Sequence, residues 1–334
     1  MVQFGWKAGT EQFPPTELLE FAIAAEQAGF DFIDVSDHFH PWSEEGQSPF
    51  TWTWLGAVAA RTSRIHMGPG LTSPILRYHP SIIAQAAATV SAMAPGRFYM
   101  CVGTGEALNE YAATGLWPGY TERQERLLEA MLLIRALWSG EEVTLDGDYY
   151  MTRRAKLYTP PASRIPLYVS SLAPGSAAFA GEFGDGLITV GGKQPGVYHE
   201  ILRNFEEGAR EAKKKPADMP KLIELNVEFT NNEEAAILNQ KKYWAATYIP
   251  ALYDQKIYTP AMAAQNGEVV GSDTIKRASC ISANPDDHVK FIQKYIDLGF
   301  DHLIFHSADP NQRGFLEAYS KNVLPRIRSK VGVA

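Results

Sequence analysis

Short apolar runs alternate with amphipathic stretches along the whole chain. The apolar runs contain many β-branched residues and predict buried strands, whereas the amphipathic stretches predict helices. The predicted strands cover residues 2–8, 32–37, 64–71, 98–103, 167–170, 186–190, 222–229 and 302–306. The predicted helices cover residues 17–29, 51–62, 80–93, 121–138, 175–181, 197–213, 233–248, 286–298 and 312–326. This regular alternation indicates parallel strands joined by helices.

The number of strands favours one architecture. About eight βα units are what a (β/α)₈ barrel, or TIM barrel, needs. A doubly wound sheet is the alternative, but the units are evenly spaced and no linker separates them, so we expect one barrel domain over residues 1–334. Two stretches break the rhythm, at about 141–165 and 245–283, and are interpreted as insertions over one end of the barrel. The first contains a hairpin signal at 145–149, and residues 249–279 are expected to be irregular.

Composition excludes several classes of protein. The chain has 334 residues, of which 45% are hydrophobic, which is enough for a large core. Its net charge of -7 contains no charged block that would favour nucleic acid. Cys101 and Cys280 lie far apart without metal-ligand spacing, so we expect a reducing compartment and no metal. No signal peptide and no apolar run of membrane length are apparent, so we expect a soluble cytoplasmic protein.

The densest group of chemically active side chains follows the second predicted strand. Asp37, His38, His40 and Trp42 lie within six residues there. Barrel enzymes carry their catalytic groups where strands end, so this cluster is the first candidate for a catalytic centre. A structural loop with satisfied histidines is the alternative interpretation. The six histidines outside this cluster show no paired spacing and are interpreted as structural: His66, His79, His199, His288, His302 and His306.

Two glycine-containing loops also follow predicted strands. The loop 103–108 resembles the start of a dinucleotide-binding motif but lacks its third glycine, so that signal is poor. Glu106 within it either faces a ligand or only pairs with the start of a helix. The loop 191–193 ends in Lys193. In the second predicted insertion, Lys256 and Arg277 are each typical of solvated charges when taken alone, but together they could form a pocket for an anion such as phosphate.

Several motifs together resemble the dehydrogenases that use the deazaflavin coenzyme F420, within the bacterial luciferase-like barrels. The motifs are Ser36 to Trp42, Val102 to Glu110, Leu76 to Pro80 with Ile83 to Gln85, and Leu137 to Gly140 with Gly147 to Tyr150. The resemblance runs nearly end to end. Within this group it is greatest to the glucose-6-phosphate dehydrogenases, and secondary alcohol dehydrogenases are near neighbours. It implies a luciferase-like TIM barrel, a homodimer, and coenzyme F420 bound at the carboxyl ends of the strands.

The resemblance also implies roles for individual residues. His38 would be the acid/base beside the hydroxyl that is oxidised, Trp42 would stabilise the reaction centre, and Glu106 would serve the proton at the deazaflavin ring. A non-prolyl cis peptide is expected at Gly70–Leu71. The residues implied to bind the coenzyme are Asp37, Leu71, Ser73, Thr104, Gly105, Asn109, Leu172, Ala173, Gly175 and Ser176.

By the same resemblance, Lys193, Lys256 and Arg277 would hold a sugar phosphate, whose C1 hydroxyl would give a hydride to the coenzyme and form a lactone. Val190 and Ile257 depart from the sugar-phosphate pattern, and His40 and residues 256–258 look more like the alcohol dehydrogenases. Arg277 favours the sugar phosphate. A flavin-dependent monooxygenase of the same superfamily and a non-catalytic binding protein are the remaining alternatives.

Overall fold

A computed structural model describes residues 2–249 and 256–332. The strands are β1 (Gln3–Ala8), β2 (Phe32–Val35), β3 (His66–Pro69), β4 (Met100–Val102), β5 (Val143–Asp146), β6 (Met151–Ala155), β7 (Leu167–Ser170), β8 (Gly186–Val190), β9 (Lys221–Glu228), β10 (Cys280–Ile281) and β11 (His302–His306). The helices are α1 (Pro15–Gln27), α2 (Thr51–Arg61), α3 (Pro80–Met93), α4 (Ala107–Thr114), α5 (Tyr120–Trp138), α6 (Pro174–Phe183), α7 (Pro195–Glu211), α8 (Glu233–Trp244), α9 (Pro260–Gly267), α10 (Ser272–Ala278), α11 (Pro285–Leu298), α12 (Gln312–Ala318) and α13 (Leu324–Lys330).

Eight of these strands form a nearly closed parallel barrel. Their order is β3-β2-β1-β11-β9-β8-β7-β4. Parallel bridges from Met67 to Phe98 and from Thr72 to Val102 bring the two outer strands together. The predicted TIM barrel is therefore confirmed, and the doubly wound sheet is excluded.

The barrel interior is built in layers, because residues two apart on a strand face the same side. An apolar layer consists of Phe32, Tyr99, Cys101, Tyr168, Ile188, Leu222 and Ile304. Two residues further toward the carboxyl ends, three of these strands carry Asp34, Glu224 and His306, and Lys7 lies beside them on β1. We call Lys7, Asp34, Glu224 and His306 the charged layer. It separates the apolar interior from the face where the candidate site lies.

The first predicted insertion contains the expected hairpin, in which β5 and β6 pair antiparallel. Residues 249–279 were expected to be irregular, and this expectation is wrong for the later part, where α9 and α10 lie. The Thr259 side chain caps α9 by accepting from the N–H of Met262, and Pro260 occupies its first turn. Both helices have eight residues or fewer, too short for apolar periodicity to reveal. Residues 250–255 of this predicted insertion lie outside the described residues.

A third helix was not predicted. α4 begins after Glu106 and ends at Gly115, which adopts a left-handed conformation with φ of 72°. Its eight residues give little periodicity, but they carry Asn109 and Glu110 to the barrel face. Among the described helices, none is long and apolar enough to cross a membrane.

Candidate active site

The residues predicted to be catalytic lie at the carboxyl ends of barrel strands. Asp37, His38 and Trp42 follow β2, and Glu106 follows β4. Glu11, which follows β1, lies against His38. Carboxyl ends of barrel strands meet at one face, so side chains from distant parts of the chain converge here.

His38 is the centre of this cluster. Its Nδ1 lies 2.7 Å from Oε1 of Glu11, and its Nε2 lies 3.9 Å from Oε2 of Glu106. Its ring meets that of Trp42 edge to face, with 5.3 Å between the ring centroids. The side chain of Glu11 is 1% exposed and that of Glu106 is 21% exposed. One imidazole nitrogen is thus held by a buried carboxylate, while the other points toward a carboxyl group that solvent or a ligand can reach.

The two carboxyl groups beside His38 differ in ionisation. Burial favours a raised pKa for Glu11, but the charge of His38, followed by that of Lys7, outweighs it and the pKa of Glu11 is lowered. Burial also raises the pKa of Glu106, and the attraction of His38 does not offset it. Burial acts to lower the pKa of His38, but Glu11 and then Glu106 overcome it, so the pKa of His38 is raised. The cluster therefore combines an ionised carboxylate that fixes the imidazole with a second carboxyl group that keeps its proton more readily.

Trp42 joins the cluster to the second predicted insertion. Its side chain is buried and packs with Leu108 of α4, Trp244 of α8 and Ile257. Three small residues, Ala246, Ala263 and Ala308, complete this buried cluster. A single apolar wall therefore connects the catalytic candidates with residues 256–258.

Asp37 is buried and fully engaged within the protein. Its Oδ2 accepts from the Thr72 hydroxyl at 2.5 Å, and its Oδ1 accepts from the Tyr78 hydroxyl at 3.0 Å. Nη2 of Arg77 lies 3.3 Å from Oδ2 and also donates to the Asp37 backbone carbonyl. Asp37 therefore ties the loop after β2 to the loop after β3.

Arg77 also pairs with a second carboxyl group. Its Nε donates to Oε1 of Glu110 at 3.2 Å, and its backbone N–H donates to Oε2 at 3.1 Å. Burial raises the pKa of Glu110 to about 7, although Arg77 acts in the opposite direction. This pair joins the loop after β3 to α4.

The segment after β4, including the start of α4, fits closely against the loops after β2 and β3. The Asn109 side-chain oxygen accepts from the N–H groups of Phe39 at 2.8 Å and His40 at 3.1 Å. Gly105 has a φ of 71°, and a Cβ there would lie 2.6 Å from the Ser73 hydroxyl oxygen. That hydroxyl is buried and has no hydrogen-bond partner in the described residues. Glycine is required at position 105, and Ser73 is left with capacity for a ligand.

The remaining residues predicted to bind the coenzyme lie at the same end of the barrel, after the carboxyl ends of other strands. The Gly70–Leu71 peptide bond is cis, as predicted. Leu71, Thr104 and Leu172 are half-buried. The three lie after β3, β4 and β7.

The start of α6 is open. Its N-terminus has no side-chain cap, and a Cβ built at Gly175 would meet nothing within 4 Å. The Ala173 carbonyl accepts from the Ser171 hydroxyl at 2.8 Å and from the Ser176 hydroxyl at 3.0 Å. The uncapped N–H groups are therefore free of side-chain partners and suit an anion.

Two of the three candidate cations lie on elements that touch. Lys193 is half-buried, and burial lowers its pKa, whereas Lys256 and Arg277 are exposed. A Cβ at Gly192 would lie 2.9 Å from Cβ of Ala278, so the loop that carries Lys193 contacts the end of α10 beside Arg277. Lys256 directly precedes Ile257, which belongs to the buried apolar wall around Trp42.

Sequence reasoning missed four residues that the structure brings to the site: Glu11, Arg77, Tyr78 and Glu110. Glu11 follows β1 just as His38 follows β2, and that equivalence was a signal available from the strand prediction. The other three lie inside motifs that carried the resemblance but were given no role of their own. Their pairing depends on contacts between neighbouring loops, which no local pattern indicates.

Comparison with known families gives one family model over most of the chain. The model for luciferase-like monooxygenases matches residues 2–302.

Curated relatives match the chain along nearly its whole length. An F420-dependent glucose-6-phosphate dehydrogenase of Nakamurella multipartita is 39% identical over 99% of this chain and 98% of its own. The enzyme of the same name from Beutenbergia cavernae is 40% identical over the same shares.

Solved structures agree in fold. An F420-dependent secondary alcohol dehydrogenase in complex with an F420-acetone adduct superposes with a TM-score of 0.94 at 35% identity, covering 98% of this chain and 99% of its own. The coenzyme F420-dependent tetrahydromethanopterin reductase of Methanopyrus kandleri superposes at 0.77 with 21% identity, over 98% and 99% of the two chains, and is similar in fold alone.

Proposed function

The chain belongs to the luciferase-like monooxygenase family, and we propose that within this family it is an F420-dependent dehydrogenase of glucose 6-phosphate. The observation that carries this function is the match to enzymes of that name at 39–40% identity over 98–99% of both chains. The reaction removes a hydride from C1 and a proton from the C1 hydroxyl, and it leaves the lactone. The cofactor is coenzyme F420, and the substrate is a small molecule.

The residues at the barrel face fit a deazaflavin coenzyme. The buried Ser73 hydroxyl lacks a partner, Gly105 leaves space where a side chain would collide, and the start of α6 is open. We assign coenzyme binding to the predicted residues around these features, with Asp37 acting by holding the loops after β2 and β3. The N-terminus of α6 would take the anionic tail. When bound, the coenzyme accepts the hydride and supplies the two-electron chemistry.

His38 is assigned to the hydroxyl proton of the substrate. A histidine suits this role because its neutral form accepts a proton near physiological pH. Glu11 lies 2.7 Å from Nδ1, so it orients the ring and stabilises the imidazolium that forms when Nε2 takes the proton. Glu11 is thus a positioning residue.

Glu106 is assigned to the second proton task, at the coenzyme ring. Burial raises its pKa, so it can hold a proton that the buried Glu11 cannot hold. Trp42 packs edge to face on His38 and excludes water from the reaction centre.

The phosphate of the substrate is assigned to Lys193, Lys256 and Arg277. The contact between Gly192 and Ala278 supports this assignment, because it brings the elements of two of the three cations together. Several cations that converge on a phosphate dianion can each form a charge-assisted hydrogen bond with it.

We propose a homodimer and a cytoplasmic location, and a single barrel domain with the stretches near 141–165 and 245–283 as insertions over the carboxyl face.

One experiment tests the function directly. Purified protein is mixed with oxidised coenzyme F420, and the visible absorbance of the coenzyme is followed with glucose 6-phosphate in one cuvette and isopropanol in another. We expect bleaching with the sugar phosphate alone. Bleaching with isopropanol alone would overturn the substrate, and an absence of coenzyme binding would overturn the cofactor.

A secondary alcohol is the second candidate substrate. The structure with the F420-acetone adduct is 35% identical and superposes closely. Ile257 presents a buried apolar side chain to the Trp42 wall, which also suits a small alcohol. The isopropanol cuvette decides between the two substrates.

A further inference from the structure

The charged layer lies where the barrel interior meets the candidate site. Nζ of Lys7 lies 2.7 Å from Oδ2 of Asp34 and 3.0 Å from Oε2 of Glu224. Nδ1 of His306 lies 3.0 Å from Oε1 of Glu224. Four ionisable side chains therefore form one connected group. Burying such groups costs desolvation free energy that their mutual attraction often does not repay, so stability alone does not explain the group.

Two members of this group keep unused hydrogen-bonding capacity. The side chain of Glu224 is 19% exposed, whereas Lys7 and Asp34 are 3% and 0% exposed, so Glu224 alone of these three reaches accessible space. The side chain of His306 is 4% exposed, and its Nε2 has no hydrogen-bond partner in the described residues. The His306 ring also meets that of Trp244 edge to face, with 4.3 Å between the ring centroids. Buried polar atoms ordinarily have hydrogen-bond partners, so the unpartnered Nε2 retains capacity for a ligand.

The group lies beside the residues assigned to the substrate. Val190 on β8 is paired in register with Glu224 on β9. The N–H of Gly191 donates to the Glu224 backbone carbonyl at 2.7 Å, at the base of the loop that leads to Lys193. Lys7 also acts electrostatically on both Glu11 and Glu106. The charged layer therefore adjoins the strand that leads to Lys193, and through Lys7 it acts on the proton-transfer cluster.

We propose that Glu224 and His306 bind ring hydroxyls of the substrate and so select a polyhydroxylated sugar over a simple alcohol. This inference rests on the proposed function and names the part of the site that would recognise the sugar itself. Its phosphate would remain with the cations above.

The chemistry of the two groups fits hydroxyls and disfavours the other parts of the substrate. Glu224 is an acceptor whose oxygens each contact one protein donor, Lys7 or His306, and retain a further lone pair. When Nδ1 of His306 donates to Glu224, Nε2 of the neutral ring is also an acceptor. Two adjacent acceptors match two O–H donors, whereas a phosphate would meet the charge of Glu224. Isopropanol has a single hydroxyl, which the reaction itself occupies at His38.

The test pairs residue changes with missing hydroxyls. The 2-, 3- and 4-deoxy analogues of glucose 6-phosphate are assayed with wild type, Glu224→Gln and His306→Gln. Wild type should lose about ten- to hundredfold in kcat/KM for at least one analogue. Each variant should lose a similar factor with glucose 6-phosphate, but it should lose little more with the analogue that lacks the hydroxyl bound by the replaced side chain, since that contact is already gone.

One further readout separates a lost contact from misfolding and from failure of the proposed function. Both variants should still bind coenzyme F420, whose proposed site lies on the same barrel face. Thr189→Val is the matched control, because it removes a buried unpaired hydroxyl from the opposite face of β8. Its kcat/KM should fall by the same factor as that of wild type when a deoxy analogue replaces glucose 6-phosphate.

Three results would overturn the inference. Equal deoxy penalties in wild type and both variants would mean that these side chains do not contact ring hydroxyls. Equal kcat/KM for glucose 6-phosphate and all three analogues in wild type would mean the same. If wild type bound coenzyme F420 but did not oxidise glucose 6-phosphate, the proposed function would have failed first.

Discussion

At the scale of single residues, the site depends on carboxyl groups that the same fold ionises differently. Glu11 is held ionised by His38 and Lys7, whereas burial keeps a proton on Glu106 and Glu110 more readily. The surroundings of each carboxyl group, rather than its residue type, thus decide how readily it is ionised and which proton-transfer role suits it. Asp37, His38 and Trp42 were predictable as candidates because dense polar groups follow a clear strand, and Glu106 because it lies in a glycine-containing loop after another strand. Glu11 was not predicted, because its role depends on contact with His38 across two strand ends.

The first prediction concerns Glu11→Gln. The carboxylate of Glu11 raises the pKa of His38, so its loss should lower that pKa. His38 must be neutral to take the hydroxyl proton, and the acidic limb of the kcat/KM profile should therefore move to lower pH. The plateau should fall by about tenfold or more, since the imidazolium loses its support.

The pH dependence of kcat/KM for glucose 6-phosphate checks this. Glu17→Gln, on the exposed face of α1, serves as the control and should leave the profile unchanged. An acidic limb at the wild-type position in Glu11→Gln would show that His38 is not the group that titrates.

The second prediction concerns Arg277→Ala. A lost charge-assisted contact to phosphate costs about 1.5–3 kcal/mol, so KM for glucose 6-phosphate should rise about ten- to hundredfold. The Kd of the coenzyme should not change. Steady-state kinetics and coenzyme fluorescence measure the two quantities.

Lys276→Ala is the matched control, because Lys276 is the preceding residue and pairs with Glu233 at 2.5 Å instead. If both variants gave the wild-type KM, Arg277 would be a solvated charge.

At the scale of elements, short helices and loops complete what the strands begin. α4 was not predicted, yet it carries Asn109, which holds the loop after β2, and Tyr111, which stacks on Tyr258. The ends of strands can be located from apolar runs in the sequence. The hydrogen bonds between the loop after one strand and the loop after another cannot be predicted from these runs. The helices of the second predicted insertion were missed for the related reason that a helix of two turns shows little periodicity.

The third prediction tests one such contact. The rings of Tyr111 and Tyr258 stack with 4.0 Å between their centroids, which fixes the segment that begins at Lys256. Such a pair contributes about 0.5–1.5 kcal/mol beyond burial, so Tyr111→Ala should raise KM for glucose 6-phosphate by about threefold to tenfold. Tyr111→Phe keeps the ring and should behave as wild type. Equal KM values for both variants would show that the stack does not position Lys256.

At the scale of the whole molecule, the barrel was the most predictable feature. Eight apolar runs in a regular rhythm allow few other arrangements, and β7, β8 and β11 begin and end where the pattern placed them. The charged layer was not predictable, because it forms only when β1, β2, β9 and β11 become neighbours. His306 was accordingly interpreted as structural from the sequence.

The fourth prediction concerns stability. Glu228 is buried and accepts from Gln240 at 2.6 Å, from Ser307 at 2.6 Å and from the N–H of Ala308 at 2.8 Å. Burial outweighs these bonds and raises its pKa from 4.5 to about 7. The folded state therefore binds more protons than the unfolded state between these values, so this contribution to stability is present at low pH and is lost as pH rises through about 7.

Urea unfolding at pH 5 and pH 8 measures the effect. The difference in free energy of unfolding between wild type and Glu228→Gln should change by about 2 kcal/mol over this interval, with wild type losing more as pH rises. A constant difference between the two proteins would show that Glu228 is ionised throughout.

Lys7 touches both proposed ligand sites. Its ammonium contacts Glu224, and it also donates to the carbonyl of Gly70, at the head of the segment assigned to the coenzyme. The Asp34 carboxylate fills the space where Gly70 would carry a side chain, so this segment rests directly on the charged layer. A sugar hydroxyl bound to Glu224 would change the strength of the contact between Glu224 and Lys7. The hydrogen bond from Lys7 to the Gly70 carbonyl would then change as well. The affinities of the two ligands should then depend on each other reciprocally, so that occupancy by either one sets the affinity for the other.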